Sequence, residues 1–142
     1  MVDITMVKFT DIEDAFFFVS SDQYGMNTAI LNKVTGGIYY RSEMGDIDEI
    51  DENDLDWDNC IKIPHKNDLE LGRELVFEFV ETHMPDEYDR VWHMFRKRGA
   101  YGRFKSLLES RGLLQSWFAF ESQREEQALR EWCKENGIEL SE

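Results

Sequence analysis

Residues 99–140 constrain the fold most strongly, because they carry the longest helical periodicity in the chain and contain glycines that divide it. Apolar residues at a spacing of three and four predict a first amphipathic helix with the inward stripe Tyr101, Phe104, Leu107 and Leu108. Gly112 is placed to close this helix, and Gly137 is placed to end a second, longer one in a Schellman-type turn with Ile138. The predicted stripe of the second helix is Leu114, Trp117, Phe118, Ala128, Leu129, Trp132 and Cys133. Phe120 lies off this stripe, so it either reaches a neighbouring element or is exposed.

A short helix is predicted near the amino terminus. Thr10 and Glu13 match a capping box, so we expect a helix over residues 11–20. A strand is the alternative, because residues 16–19 are three phenylalanines and a valine, which have high β propensity. We favour the helix, since the apolar residues around this run recur at helical spacing.

A small antiparallel sheet is expected next. Residues 26–32 and 37–42 are predicted to form a hairpin, with Gly36 or Gly37 supplying the positive φ of its turn. Residues 60–64 are expected to add a third strand, which the proline at its end terminates.

Two further helices are predicted between this sheet and Gly99. Asn67 is expected to cap the first, which contains Gly72 in its interior and ends just before Pro85. Its inward stripe is Leu75, Val76, Phe79, Val80 and His83. Pro85 can serve as the first residue of the next helix, which Gly99 stops. The stripe of that helix is Tyr88, Val91, Trp92 and Phe95.

These elements predict an α+β fold: a short amino-terminal helix, a small antiparallel sheet made of a hairpin plus a third strand, and about four carboxy-terminal helices packed together. We expect residues 1–142 to form a single domain. Within it, residues 1–64 carry the helix and the sheet with an acidic loop at 43–58, and residues 65–142 form the helical part.

Composition narrows the class of protein. A chain of 142 residues buries roughly 68–70% of its unfolded surface, so it needs neither a metal nor a disulfide for stability. The formal charge of -14 repels nucleic-acid phosphates and anionic membranes. The two cysteines form no CxxC pair, which suits a reducing cytosol, and residues 1–19 indicate neither a signal peptide nor a membrane span. We therefore expect a cytoplasmic protein that does not contact the membrane.

Three sequence segments indicate a known group of proteins: IPHKNDLELGRELVFEFV at 63–80, YDRVWHMFRKRGAYGRFKSLLE at 88–109 and ALREWCKENGIEL at 128–140. They resemble the bacterial group called uncharacterised protein family 0158. The resemblance covers residues 61–140 well and the amino-terminal third loosely. It implies a bacterial cytosolic domain, and it brings no activity, cofactor or catalytic residue.

The acidic loop is the first candidate for a binding site. Residues 43–58 contain nine Asp or Glu and no Lys or Arg, with apolar residues interspersed. Asp54, Asp56 and Asp58 imitate the first ligands of a calcium loop, but Asn59 stands in place of the turn glycine and a histidine stands in place of the bidentate glutamate. A solvated acidic surface is therefore the leading interpretation, ahead of a docking surface for a basic partner and of divalent-metal binding by an enzyme.

The second candidate is a basic stretch, residues 90–111, which contains seven Lys or Arg and one Glu. The bases are Arg90, Arg96, Lys97, Arg98, Arg103, Lys105 and Arg111. Nearby aromatic rings are typical of single-stranded nucleic-acid sites. Tyr101 and Phe104, however, belong to a stripe that is predicted to be buried, and cations in the last turn of a helix also complement its dipole. Helix capping or pairing with the acidic loop is favoured, followed by a protein partner and then nucleic acid.

A third candidate surrounds the junction between strand and helix. His65 and Arg73 could hold an anion at the amino end of the helix. The alternative is a purely structural role for this region, in which Asn67 and Asp68 cap the helix. The sequence contains no HExxH motif or histidine pair four residues apart, so zinc is not expected. Cys133 lies on an apolar stripe, where a buried thiol is more common than a nucleophile.

The sequence therefore predicts a cytosolic, non-enzymatic interaction or regulatory module with a charge-polarised surface, without a cofactor or catalytic residue. Its partner is expected to be another protein, and the oligomeric state is left open. The residues expected to bind it are Asp54, Asp56, Trp57, Asp58, Arg96, Lys97, Arg98 and Arg103. The alternatives are a nucleic-acid-associated protein that uses residues 90–111 and a metal-binding enzyme that uses residues 43–58.

Overall fold

The computed structural model describes residues 6–23, 25–45 and 47–141 and confirms the predicted α+β class. The elements in chain order are β1 (Val7–Lys8), α1 (Phe9–Ser20), β2 (Asn27–Asn32), β3 (Ile38–Ser42), β4 (Cys60–Lys62), a 3₁₀ helix (Lys66–Leu69), α2 (Arg73–His83), a second 3₁₀ helix (Pro85–Glu87), α3 (Tyr88–Met94), α4 (Ala100–Ser110), α5 (Leu114–Glu135) and β5 (Leu140–Ser141). The four predicted carboxy-terminal helices are thus α2 to α5.

The chain divides into two compact units. The first unit comprises Met1–Leu69 together with Gln127–Glu142, and the second unit comprises Glu70–Glu126. The last part of α5 therefore belongs to the first unit. That residues 1–142 form a single domain stays a prediction.

The first unit is built around a three-stranded antiparallel sheet in the order β3-β2-β4. Ile30 of the central strand lies opposite Tyr39 on one side and Lys62 on the other, and it is buried. Gly36 supplies the positive φ of the hairpin turn, at +79°, as one of the two predicted glycines. The hairpin and third strand are confirmed.

Helix α1 is confirmed against the alternative of a strand, but its predicted capping box is wrong. The helix begins at Phe9 rather than at residue 11, and its N-cap residue is Lys8, which makes no side-chain cap hydrogen bond. Thr10 therefore lies inside the first turn. The start is set instead by Val7–Lys8, which pairs in parallel with β5 as a two-stranded sheet that the sequence did not indicate. The guanidinium of Arg130 lies 4.1 Å from the centre of the Phe9 ring, next to this pair in the chain.

The second unit has an aromatic core. Trp117 of α5 meets the Phe79 ring of α2 and the Phe104 ring of α4 edge to face, with ring centres 5.4 and 5.1 Å apart. All three side chains are at most 1% exposed. Phe120 packs 5.4 Å from Phe79, so it reaches a neighbouring helix, the first of its two predicted alternatives. The prediction that carboxy-terminal aromatics fill the core is right for these residues.

Several residues predicted to lie inward are exposed: His83, Trp92, Tyr101 and Phe118. Helix α3 has only seven residues, so Val91 fills its buried face and Trp92 turns outward. Phe118 follows the buried Trp117 and therefore points about 100° away around the helix. Helical spacing identified the buried face of each helix correctly, but the predicted stripes included residues at the edge of that face that are exposed.

The predicted helix from Asn67 to Pro85 is interrupted. A 3₁₀ helix ends at Leu69, Glu70 adopts a left-handed conformation with φ of 57°, and α2 begins only at Arg73. Gly72 is therefore the N-cap residue of α2 and not an interior glycine, and Asn67 does not cap this helix.

Glycines end α4 and α5 as predicted, whereas the prediction that Gly99 stops α3 is wrong, because α3 ends at Met94 and Gly99 is the N-cap residue of α4. Gly112 and Gly137 have φ values of 68° and 70°. After the second, the N–H of Ile138 donates to the carbonyl of Cys133 over 2.9 Å, and both side chains are buried. This is the Schellman end that the sequence indicated.

Cys133 is expected to make the fold sensitive to alkaline pH. Burial raises the pKa of its thiol from 9.0 to about 11. A folded pKa above the unfolded value means that the stability contribution is complete below pH 9 and is lost as the pH rises toward 11. Urea unfolding at several pH values should therefore show wild-type stability falling by up to about 1.4 kcal/mol per pH unit more steeply than that of Cys133→Ala. Equal slopes for the two proteins would contradict this.

Candidate interaction surfaces

The acidic segment, residues 43–58, is held against the edge of the sheet. The N–H of Ser42 donates to the carbonyl of Ile47, and the N–H of Glu49 donates to the carbonyl of Tyr40, both over 2.8 Å. Between these bonds, Asp48 forms an isolated antiparallel bridge with Arg41 of β3. The segment is therefore ordered where it follows the strand.

Arg41 holds this part of the acidic segment through three contacts. Its guanidinium lies 2.9 Å from the Asp48 carboxylate and 3.1 Å from the Glu52 carboxylate, and it donates over 2.6 Å to the carbonyl of Ile50. The hydrogen bond from Arg41 lowers the pKa of the Asp48 carboxyl below its usual value. Ile50 is buried, so the chain is fixed at this point by both charge and packing.

The remainder of the acidic segment presents its side chains to solvent. Asp54, Asp56 and Asp58 are exposed and form no ion pair with any residue in the described part of the chain. Trp57 stands among them with 46% of its surface exposed, although its indole N–H donates to the carbonyl of Glu52 over 3.0 Å. A large apolar ring is thus held in place amid negative charge.

The resemblance of these acids to a calcium loop does not extend to their arrangement. Asp56 accepts a hydrogen bond from the Asn59 side chain over 2.6 Å. Within residues 6–23, 25–45 and 47–141, no three His, Cys, Asp or Glu side chains are grouped so as to hold a metal ion. Metal binding by the acidic segment therefore stays a prediction, and the described residues provide no group of ligands for it.

The basic stretch, residues 90–111, lies in the second unit and is only partly neutralised. Arg90 pairs with Glu87 over 3.1 Å, and Arg111 pairs with Asp86 over 3.0 Å. The hydrogen bond from Arg111 also lowers the pKa of the Asp86 carboxyl. The five other bases are exposed and form no ion pair with any described residue: Arg96, Lys97, Arg98, Arg103 and Lys105. Positive charge therefore faces solvent in this stretch.

A groove runs between α3 and α4 inside this basic stretch, with a volume of about 610 Å³. Arg90 and Arg103 line it, and small residues form much of the rest of its wall: Gly99, Gly102, Ser106 and Ser110. A Cβ atom at Gly102 would meet no neighbouring group within 4 Å. Nothing in the packing of the fold therefore requires glycine at this helical position. We call this feature the basic groove.

Aromatic rings near the bases are arranged for packing within the chain. Tyr101 is 39% exposed, contrary to its prediction, but its ring meets Phe95 edge to face at 5.0 Å, and burial raises the pKa of its hydroxyl. Phe104 is fully buried. Trp92 is 43% exposed, and the Arg96 guanidinium lies 4.7 Å from its ring centre. These aromatic rings are absent from the residues that line the basic groove.

His65 and Arg73, the predicted anion-binding residues, belong to different units. His65 is only 4% exposed, with Nε2 3.0 Å from the carbonyl of Asp22 and Nδ1 accepting from the N–H of Asn67 over 3.0 Å. These bonds join the turn after α1 to the 3₁₀ helix, so the ring serves the fold. Arg73 is exposed at the start of α2. Anion binding by these two residues stays a prediction.

Sequence reasoning missed two features of these surfaces. The first is the contact of Arg41 with the acidic segment. The position of Arg41 in a strand, two residues before that segment, could have indicated this contact. The second is the groove beside Gly102, which lies inside a helix and has no positive φ. Glycine at such a position is unfavourable by about 1 kcal/mol relative to alanine, and this cost could have indicated a groove.

Comparison of this chain with protein-family models, curated proteins and solved structures finds no match. The resemblance to uncharacterised protein family 0158 therefore stays a prediction. None of the helices in the part of the chain that the structure describes has the length and apolar character that crossing a membrane requires.

Proposed function

We propose that this chain is a cytosolic, non-enzymatic interaction or regulatory module whose acidic segment binds a basic region of another protein. The observation that carries the proposal is the exposed Trp57 ring held among Asp54, Asp56 and Asp58. Tryptophan is strongly enriched among the residues that contribute most to binding at protein interfaces. The unpaired carboxylates around it favour and orient a partner of opposite charge.

The ordering of the segment supports this use. Arg41 and the buried Ile50 already hold its backbone, so binding loses less conformational entropy than the folding of a free acidic tail would. The two cysteines, Cys60 and Cys133, are both free thiols, which fits a reducing compartment such as the cytosol.

Nucleic-acid binding is the weaker candidate for the basic stretch. Single-stranded sites combine a positive groove with rings on which bases stack. Here Phe104 is buried and Tyr101 packs its ring against Phe95, so a stacking platform along the groove has no support. The net charge of -14 further opposes the approach of a polyanion.

The proposal is tested by calorimetric titration with a synthetic peptide of alternating arginine and leucine. The triple variant Asp54→Lys, Asp56→Lys, Asp58→Lys is expected to weaken binding at least about tenfold, because charge pairs at contact distance contribute about 1.4 kcal/mol or more. Trp57→Ala, which changes no charge, is expected to weaken it by a similar factor through loss of the apolar anchor.

The matched control is Glu131→Lys, Glu135→Lys, Glu139→Lys, which makes the same charge change at three exposed acids outside the acidic segment. It should bind nearly as the wild type does. If this control loses as much affinity as the variant at Asp54, Asp56 and Asp58 while Trp57→Ala binds as the wild type does, binding reflects net charge alone and the proposed site is wrong. Unchanged affinity in the first two variants contradicts it as well.

A further inference from the structure

We infer that the partner includes a second copy of this chain, whose acidic segment enters the basic groove between α3 and α4. The inference rests on the proposed function, because it uses the same acidic segment. It adds the receiving surface and predicts head-to-tail self-association.

The receiving surface has positive charge that no ion pair in the described part of the chain neutralises, although Arg96 and Lys105 contact the Trp92 and Phe118 rings. Arg96, Lys97, Arg98, Arg103 and Lys105 are exposed, and no described carboxylate pairs with them. Arg103 lines the basic groove directly, and Arg98 adjoins Gly99, which also lines it. Arginine is suited to this role because its planar guanidinium binds carboxylates with two parallel hydrogen bonds.

The shape of the groove points to an occupant that comes close to the helix backbone. The volume of about 610 Å³ is bounded in part by glycine and serine residues at the start of α4 and within it. Gly102 leaves room that a larger side chain would fill without any clash, since no neighbouring group lies within 4 Å of its missing Cβ. Met94 and Leu107 also line the groove, and Arg103 gives it a charge opposite to that of an acidic chain segment.

The acidic segment of the same protein matches this groove. It carries nine acids and no base, against seven bases and one acid in residues 90–111. Its exposed acids at 54, 56 and 58 alternate along the chain and have no ion-pair partner in the described part of the protein. Both complementary surfaces therefore exist on every copy, and each is left with unpaired charge.

The overall charge of -14 makes two copies repel each other at long range, whereas the acidic segment and the basic groove attract each other on contact. Salt weakens the long-range repulsion more than the attraction at contact. The screening length is about 10 Å at 0.1 M ionic strength, so repulsion between whole molecules is largely screened while pairs at contact distance persist. We therefore expect association near this ionic strength and dissociation at about 1 M, where the screening length falls to about 3 Å.

Sedimentation velocity at rising protein concentration tests the inference in the presence of about 0.1 M salt. Two variants are compared: an acid-reversed form (Asp54→Lys, Asp56→Lys, Asp58→Lys) and a base-reversed form (Arg98→Glu, Arg103→Glu). The substituted residues are exposed, so both variants should retain the wild-type circular dichroism spectrum. The wild type is expected to shift from monomer toward dimer and larger species. Each variant alone is expected to remain a monomer.

Mixing the two variants is the decisive step. In a head-to-tail contact, the acid-reversed form still has a native basic groove and the base-reversed form still has a native acidic segment. The mixture should therefore form complexes that contain equal amounts of the two variants and that neither variant forms alone, because the two reversed surfaces are also opposite in charge. Gly102→Leu, which fills the groove without changing charge, is expected to lower self-association at least tenfold in the wild-type background.

Three results would overturn the inference: a wild type that stays monomeric at all concentrations, a mixture that forms no mixed complex, or self-association that Gly102→Leu leaves unchanged. If a monomeric wild type binds a single-stranded oligonucleotide and the base-reversed form does not, the groove is a nucleic-acid site instead. The peptide titration separates this failure from failure of the proposed function. A monomeric protein that still binds the basic peptide through Asp54, Asp56, Trp57 and Asp58 keeps the proposed function and removes only the second copy.

Discussion

Replacing Trp117 with alanine is expected to lower the free energy of unfolding by about 3–5 kcal/mol, the range for large aromatic residues removed from a packed core. The side chain is 1% exposed and lies between the Phe79 and Phe104 rings. Alanine would leave a cavity among residues of α2, α4 and α5, which cannot collapse fully because each helix is held by its own hydrogen bonds. Urea unfolding followed by circular dichroism measures the change.

Phe118→Ala is the matched control for this prediction. It removes the next aromatic residue of the same helix, which is exposed, so its cost should stay below about 1 kcal/mol. Trp117→Phe should fall between the two. It keeps ring packing and removes an indole N–H that has no hydrogen-bond partner among the described residues. Equal losses for Trp117→Ala and Phe118→Ala would contradict the assigned core.

Replacing His65 with alanine is expected to cost about 2–4 kcal/mol, because buried polar groups that lose their partners cost about 1–3 kcal/mol each. The ring accepts from the N–H of Asn67 and bonds the carbonyl of Asp22, and it is buried beside the 3₁₀ helix. Its removal also opens space next to a cavity of about 410 Å³ that His65 lines with Asp68 and Trp132. Thermal and urea unfolding both report the loss.

His83→Ala serves as the control, since His83 is exposed at the end of α2 and makes one ring contact, 4.2 Å from Phe79, so its removal should cost at most about 1 kcal/mol. A loss for His65→Ala no larger than that for His83→Ala would show that the bonds to Asp22 and Asn67 do not hold the two segments. If His65→Ala still binds the basic peptide below its unfolding temperature, His65 stabilises the fold without contributing to binding by the acidic segment.

The features that the sequence predicted correctly depend on short-range rules. A glycine after an amphipathic run ends a helix because only glycine readily adopts the left-handed conformation, and Gly112 and Gly137 both do so. The hairpin turn at Gly36 follows from the same property. Helix α1 formed despite its β-prone phenylalanines, because its apolar residues recur at helical spacing and bury Ile12, Phe16 and others on one face.

The errors occurred where the outcome depends on contacts between distant parts of the chain. Thr10 and Asn67 have the side chains of good cap residues, yet both helices begin elsewhere because neighbouring backbone pairs or turns differently. Trp92 and Tyr101 were placed inward by spacing alone, but a short helix or a neighbouring ring already filled the available interior.

The candidate surfaces divide in the same way. Their residue types and opposite charges can be read from the sequence, because runs of like charge are rarely buried. Whether a base in such a run already has a partner cannot be read from it, since Arg111 pairs with Asp86, 25 residues away, while Arg103 has no pairing partner in the described chain.

The amino-acid sequence by itself determined the α+β class, the ends of α4 and α5 at glycine, the hairpin and the polarity of charge along the chain, because each follows from local conformational preference or composition. Only the tertiary structure decided the pairing of β1 with β5, the hold of Arg41 on the acidic segment, the outward turn of Trp57 and Trp92, and the groove beside Gly102. These features depend on which surfaces meet after the chain has folded, and spacing within one element carries no information about its neighbours.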